Sequence, residues 1–131
     1  MNYENFIQFA DDEHKRFFLE KSKKLKPDVY LSSLIYTLGV CNDTRRKFDN
    51  IFDSYERVII PNAISQPWQT GTSLKVTRLA FQLFTDRTPT AFINGNDDIY
   101  ECMKYSVSDI FCCCFAPFFF YAIKIRYWHY F

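Results

Sequence analysis

The sequence predicts an all-α fold, a single compact domain spanning residues 1–131, with about five to six short helices around a Phe-rich core. Three observations lead there. Apolar residues recur at spacings of three and four in most segments, the spacing of one helix face. Only 3 glycines occur, too few for a meander of hairpins or a Gly-rich nucleotide loop. The chain holds 15 Phe, and 48% of its residues are apolar, enough for one real core at this length.

The elements follow in order. Met1 to Ala10 is a short apolar lead-in, read as extended. Asp11 and Asp12 open a helix to about Leu25, because carboxylates suit the positive end of the helix dipole. Lys21, Lys23, Lys24 and Lys26 load its last turn, and Pro27 stops it. Asp28 caps a second helix, Val29 to Leu38, which is apolar nearly all round and so central; Gly39 suits its C-terminal turn. Asn42 or Asp43 caps a third, Thr44 to about Tyr55, with Phe48, Ile51, Phe52 and Tyr55 on its buried face. Glu56 to Pro67 is a connector, in which Val58 to Ile60 resembles a strand without a partner.

The clearest amphipathic helix runs to Phe84, with Thr72 or Ser73 as its cap. Leu74, Thr77, Leu79, Ala80, Phe81, Leu83 and Phe84 form its apolar face, and Lys75 and Arg78 point away from it. Asp86 to Asn96 is polar and rich in turn formers, a mobile loop. Asp97 to Lys104 supplies a turn or two of helix. Ser106 and Asp109 make a variant capping box for a short helix into the cysteine run. Pro117 starts the last helix, which reaches about Trp128. Its stripe is Phe118, Tyr121, Ala122 and Ile125, with Lys124 and Arg126 solvated.

Charge and cysteine usage bound the partners. Sixteen basic and 15 acidic residues nearly cancel, so a general grip on nucleic acid is not expected, only a local basic patch. The start, MNYENFIQFADDEH, lacks a basic stretch followed by an apolar run, so no signal peptide is expected. The longest apolar run, Ile110 to Ile123, is broken by Pro117 and falls short of the ~20 residues a membrane span needs. Five cysteines, three of them adjacent, make a poor disulfide framework. A reduced, cytoplasmic protein without membrane association is expected.

At this point the residues resemble a family. DDEHKRFF, VYLSSLIYTLGVCNDTRRKFD, PWQTGTSLKVTRLAFQLF and SVSDIFCCCFAPFFFYAIKIRYWHYF are similar to a family of small proteins with a domain of unknown function. That family occurs in low-GC Gram-positive bacteria and their mobile elements. The most specific parts are T-R-R, W-Q-T-G-T-S and F-A-P; Arg87 to Cys102 lies outside the resemblance. It implies a bacterial or phage protein and transfers no catalytic, binding or metal residue.

Candidate sites are few. Trp68, Gln69, Thr70, Gly71, Thr72 and Ser73 lead into a helix whose first turns carry Lys75 and Arg78. Free N–H groups and two cations there suit a phosphate. The competing reading, which is preferred, is a capped helix with Trp68 packed beside it. Arg45 and Arg46 sit early in a helix, where the dipole disfavours them. They suit a phosphate or acidic partner, or pair with Asp43, Asp49 or Asp53. His14 stands among Asp11, Asp12 and Glu13, and a solvated helix start is preferred over an acid–base role. His129 is read as surface.

Cys112, Cys113 and Cys114 lack the paired spacing of a zinc site and are read as small buried hydrophobes, so no metal is expected. No motif for a catalytic triad or a cofactor occurs. The terminal RYWHYF either docks back or offers an interface. The expectation is a non-enzymatic protein-interaction or regulatory module, with another protein as partner and a homodimer as one form. A mobile-element-encoded inhibitor of a host defence system such as CRISPR is the subtype suggested by family analogy. The alternative is a phosphate, nucleotide-ligand or nucleic-acid binder using Arg45, Arg46, Thr70, Thr72, Lys75 and Arg78 as one patch. An enzyme ranks last.

Overall fold

The computed structural model describes residues 5–93 and 95–131. Within them the chain forms α1 (Asp12–Leu25), α2 (Val29–Gly39), α3 (Asn42–Arg46) and α4 (Phe48–Ile51). A ribbon of β1 (Phe52–Asp53) and β2 (Val58–Ile59) follows, then a 3-10 turn at Pro61–Ser65 and α5 (Gly71–Thr85). Next come β3 (Phe92–Ile93), β4 (Asn96–Asp97), α6 (Ile99–Met103), α7 (Val107–Ile110), α8 (Ala116–Arg126) and a closing 3-10 turn at Trp128–Tyr130. The fold is mostly helical, as expected, and α1, α2, α5 and α8 carry it. None of the helices is long and apolar enough to cross a membrane, among the described residues.

α2 is the axle. Leu31 to Cys41 are all buried, and α1, α5, α8 and α3 all pack on α2. A helix apolar nearly all round is stable only when neighbours cover every side. Its polar residues bond inward: Thr37 Oγ1 donates to the Ser33 carbonyl at 2.7 Å and Ser33 Oγ to the Tyr30 carbonyl at 2.8 Å. Asp28 caps it, accepting from the Leu31 N–H at 2.9 Å. At its other end Arg45 Nη1 donates to the Gly39 carbonyl at 2.8 Å and Thr44 Oγ1 to the Leu38 carbonyl, so the start of α3 satisfies the last carbonyls of α2.

Gly39 does not act as a left-handed cap; Val40 follows it in right-handed geometry. A Cβ at Gly39 would lie 2.7 Å from Phe17 Cδ1 and 2.9 Å from His14 Cδ2, so the missing side chain lets α1 approach α2. His14 is not solvated: it is 0% exposed. The Ala10 N–H donates to its Nδ1 at 3.0 Å, which leaves the proton on Nε2, and Nε2 donates to the Tyr36 carbonyl at 2.8 Å. Burial holds its pKa down to about 4, against the opposing pull of the Tyr36 hydrogen bond and Asp11; Arg45 lowers it further.

Further expectations need correction. The helix expected over Thr44 to Tyr55 is two short helices that begin after Cys41, which bonds no N–H through its side chain, so neither Asn42 nor Asp43 is the cap. After Ile51 the chain turns into β1, which pairs antiparallel with β2 in the register Phe52↔Ile59. Asp53 Oδ1 accepts from the N–H groups of Tyr55 and Glu56, both at 3.0 Å, and closes the turn. Val58 and Ile59 therefore have a partner, and Tyr55 is thrown out to the tip, 91% exposed.

The loop from Asp86 to Asn96 contains β3 and the first residue of its partner β4, and Thr90 and Ala91 within it are buried; Asn94 and residues 1–4 lie outside the described residues. In α8 the buried residues are Phe119, Ala122, Ile125 and Arg126. Arg126 is not solvated: Nε donates to the Leu83 carbonyl at 3.0 Å and Nη2 to Asp86 Oδ2 at 2.7 Å, and the guanidinium lies 3.6 Å from the Tyr30 ring centre. One side chain thus ties α8 to α2 and to the end of α5.

Candidate functional site

The segment before α5 is built as a cap. Thr70, not Thr72 or Ser73, is the N-cap: its hydroxyl accepts from the Ser73 N–H at 3.0 Å, and Ser73 Oγ accepts from the Thr70 N–H at 2.7 Å. Gln69 closes the arrangement from behind. Its Nε2 donates to the Ala63 carbonyl and to Thr77 Oγ1, each at 3.1 Å, and its Oε1 accepts from Ser73 Oγ at 2.6 Å. Trp68 is half-buried against the core, and so is Thr72 in the first turn.

The cations of the segment are committed within the fold. Lys75 Nζ donates to the Asp109 carbonyl and lies 3.2 Å from Asp109 Oδ1, tying α5 to the short helix α7. Arg78 is buried rather than facing solvent. Its Nε and Nη2 reach Glu101 Oε2 and Oε1 at 2.8 and 2.9 Å in a two-pronged pair. Arg45 pairs with Glu13 at 3.1 Å besides holding the end of α2, and Arg46 is exposed. α3 does touch α5. The polar groups that would bind a shared phosphate are, apart from Arg46, occupied by protein partners or half-buried.

Sequence reasoning overlooked what stands opposite Arg78. Glu101 on α6 also accepts from Thr90 Oγ1 at 2.6 Å, and the Tyr105 hydroxyl bonds Thr90 Oγ1 in turn. Since Thr90 donates to the carboxylate, Tyr105 donates to Thr90, and the Thr90 N–H reaches the Tyr105 oxygen at 3.4 Å. The chain Tyr105–Thr90–Glu101–Arg78 is buried throughout. Burial pushes the Tyr105 phenol pKa up, with the Thr90 hydrogen bonds opposing. Chemically this is a closed lock: each hydroxyl proton and both carboxylate oxygens are in use. The one signal in the sequence is that Glu101 is the single charged residue in the turn Ile99–Met103.

The lock holds a platform. Asp98 caps α6, its Oδ1 accepting from the N–H groups of Tyr100 and Glu101 at 3.0 and 3.1 Å. The Asp98 N–H in turn donates to the Ala91 carbonyl at 2.6 Å, joining α6 to the β3–β4 ribbon. On the solvent side stand Phe92, Ile99, Tyr100, Met103 and Val107, each 59–77% exposed. Two clefts of about 290 and 340 Å3 flank Phe92, which lines both. A family model described as a family of unknown function, DUF6075, matches residues 4–131. The chain belongs to DUF6075. No curated protein and no solved structure matches it.

The remaining candidates of this DUF6075 chain divide between structure and surface. All five cysteines are free. Cys112 and Cys114 are exposed and only Cys113 is half-buried, against the expectation of a buried run. The reason is that the run forms the turn between α7 and α8, where alternate side chains face out. No group of three or more His, Cys, Asp or Glu able to hold a metal occurs among the described residues. His129 is exposed, as expected, while Trp128 docks edge-on against Phe6 with ring centres 4.7 Å apart.

Proposed function

We propose that this chain is a non-enzymatic protein-interaction module that binds its partner through the α6 platform. One observation carries the reading: five large apolar side chains within sixteen positions, Phe92 to Val107, stand more than half exposed on a support locked from beneath by Arg78 and Glu101. Large apolar side chains left this exposed are a mark of interaction sites, and aromatic residues and Met are enriched where partners dock. A cytoplasmic protein of Gram-positive bacteria or their mobile elements, acting as an inhibitor of a host defence system such as CRISPR, is the subtype that the family resemblance favours. The phosphate- or nucleic-acid-binding reading has less support, because Arg45, Lys75 and Arg78 spend their charge on Glu13, Asp109 and Glu101.

The test is affinity capture from a bacterial lysate, with and without nuclease, using the wild-type chain and an Ile99→Glu/Met103→Glu double variant. A stoichiometric protein held by the first and lost from the second supports the platform. Equal capture by both, or recovery of nucleic acid alone that washes off in high salt, removes it.

A further inference from the structure

Resting on the platform reading, we infer that the partner enters as an extended peptide segment carrying apolar side chains next to a lysine or arginine. The two clefts beside Phe92 differ in their walls. One lies between the 3-10 turn and the loop, with Pro61, Ile64 and Pro89 along it. The other is lined by buried Ala91, by exposed Ile99 and Cys102, and by the exposed carboxylates of Asp97 and Asp98. Phe92, 59% exposed, is the residue the two clefts share. An extended segment sends alternate side chains to the same side, so one segment crossing Phe92 places two apolar side chains in the two clefts.

The charge of the groove selects what accompanies them. Asp98 spends Oδ1 on the cap of α6, and Asp97 has no ion pair among the described residues. Two adjacent carboxylates at the mouth of an apolar cleft favour a cation beside the inserted side chain and repel an acidic one. The one cation next in sequence to any residue lining either cleft is Arg87, beside Thr88, and it makes no ion pair among the described residues. Lys104, further along, already approaches Glu101 at 3.9 Å.

A phage-displayed library of random dodecapeptides, panned on the full chain, is the probe. Enriched peptides should combine apolar residues at alternate positions with a basic neighbour, and should bind less tightly as salt rises. Asp97→Lys, at an exposed position, should weaken a synthesised enriched peptide about tenfold, since reversal replaces a modest attraction by a comparable repulsion. Thermal melts of both variants check that the fold is kept. Enriched peptides that are acidic, or indifferent to Asp97→Lys while lost with Ile99→Glu, overturn the charge inference and leave the platform standing. Peptides indifferent to Ile99→Glu as well overturn both. Enrichment of no peptide rules out a short extended segment, and the platform is then judged by the lysate capture alone.

Discussion

His14 and Gly39 make one contact between them, and each restricts the other. The imidazole is neutral in the fold, with a pKa near 4 against about 6.5 in an unfolded chain. Because the unfolded state binds the proton more readily, stability is full above pH 6.5 and falls as the pH drops towards 4, by a total on the order of 3 kcal/mol. Denaturation measured across that range should show this slope, and His14→Gln should flatten it relative to wild type. A parallel pair of curves would mean that His14 takes no part. At Gly39, alanine is the better helix former by ~1 kcal/mol, yet its Cβ would meet Phe17 and a ring held by two hydrogen bonds. Gly39→Ala should therefore lower stability, by about 1–3 kcal/mol, in a denaturant titration.

At the scale of elements, α6 has five residues and little stability of its own, so it depends on the Arg78–Glu101 pair. Glu101→Gln leaves the guanidinium buried without its counter-charge and should cost about 3–5 kcal/mol. Hydrogen exchange should show α6 opening first, ahead of α2 and α5. Uniform loss of protection across the chain would contradict a local lock. Thr70→Ala removes the capping box of α5 and should cost about 1 kcal/mol.

These elements also show what was legible beforehand. The bounds of α1 and α2 were, because Asp11 and Asp28 cap before clear patterns and Pro27 separates them. The pairing of β1 with β2 was not, because its signal is a single Asp53 turn inside a convincing helical spacing. Arg78 and Arg126 misled for a different reason. A long cation on an apolar face reads as solvated until its partner is known, and Glu101 and Asp86 are 23 and 40 residues away in sequence. The cap at Thr70 lies two or three residues before its expected place at Thr72 or Ser73, whereas nothing in the pattern around Thr90 marked it as buried.

For the whole molecule, the platform variant Ile99→Glu/Met103→Glu alters side chains that are 68% and 62% exposed. It should keep its melting temperature within a few degrees while losing its partner, which separates binding from folding in one sample. α2 has the opposite character. From Leu31 to Cys41 no position faces water, so the helix lacks a tolerant side. A comprehensive substitution survey of an ordinary surface helix gives a rhythm of permitted and forbidden sites every three or four residues. Here it should give one unbroken band of intolerance eleven positions wide, from Leu31 in the helix to Cys41 just beyond its end. A single inserted residue within that band would rotate everything beyond it by about 100°. Length variation among relatives should therefore collect in the loops and be absent from this helix.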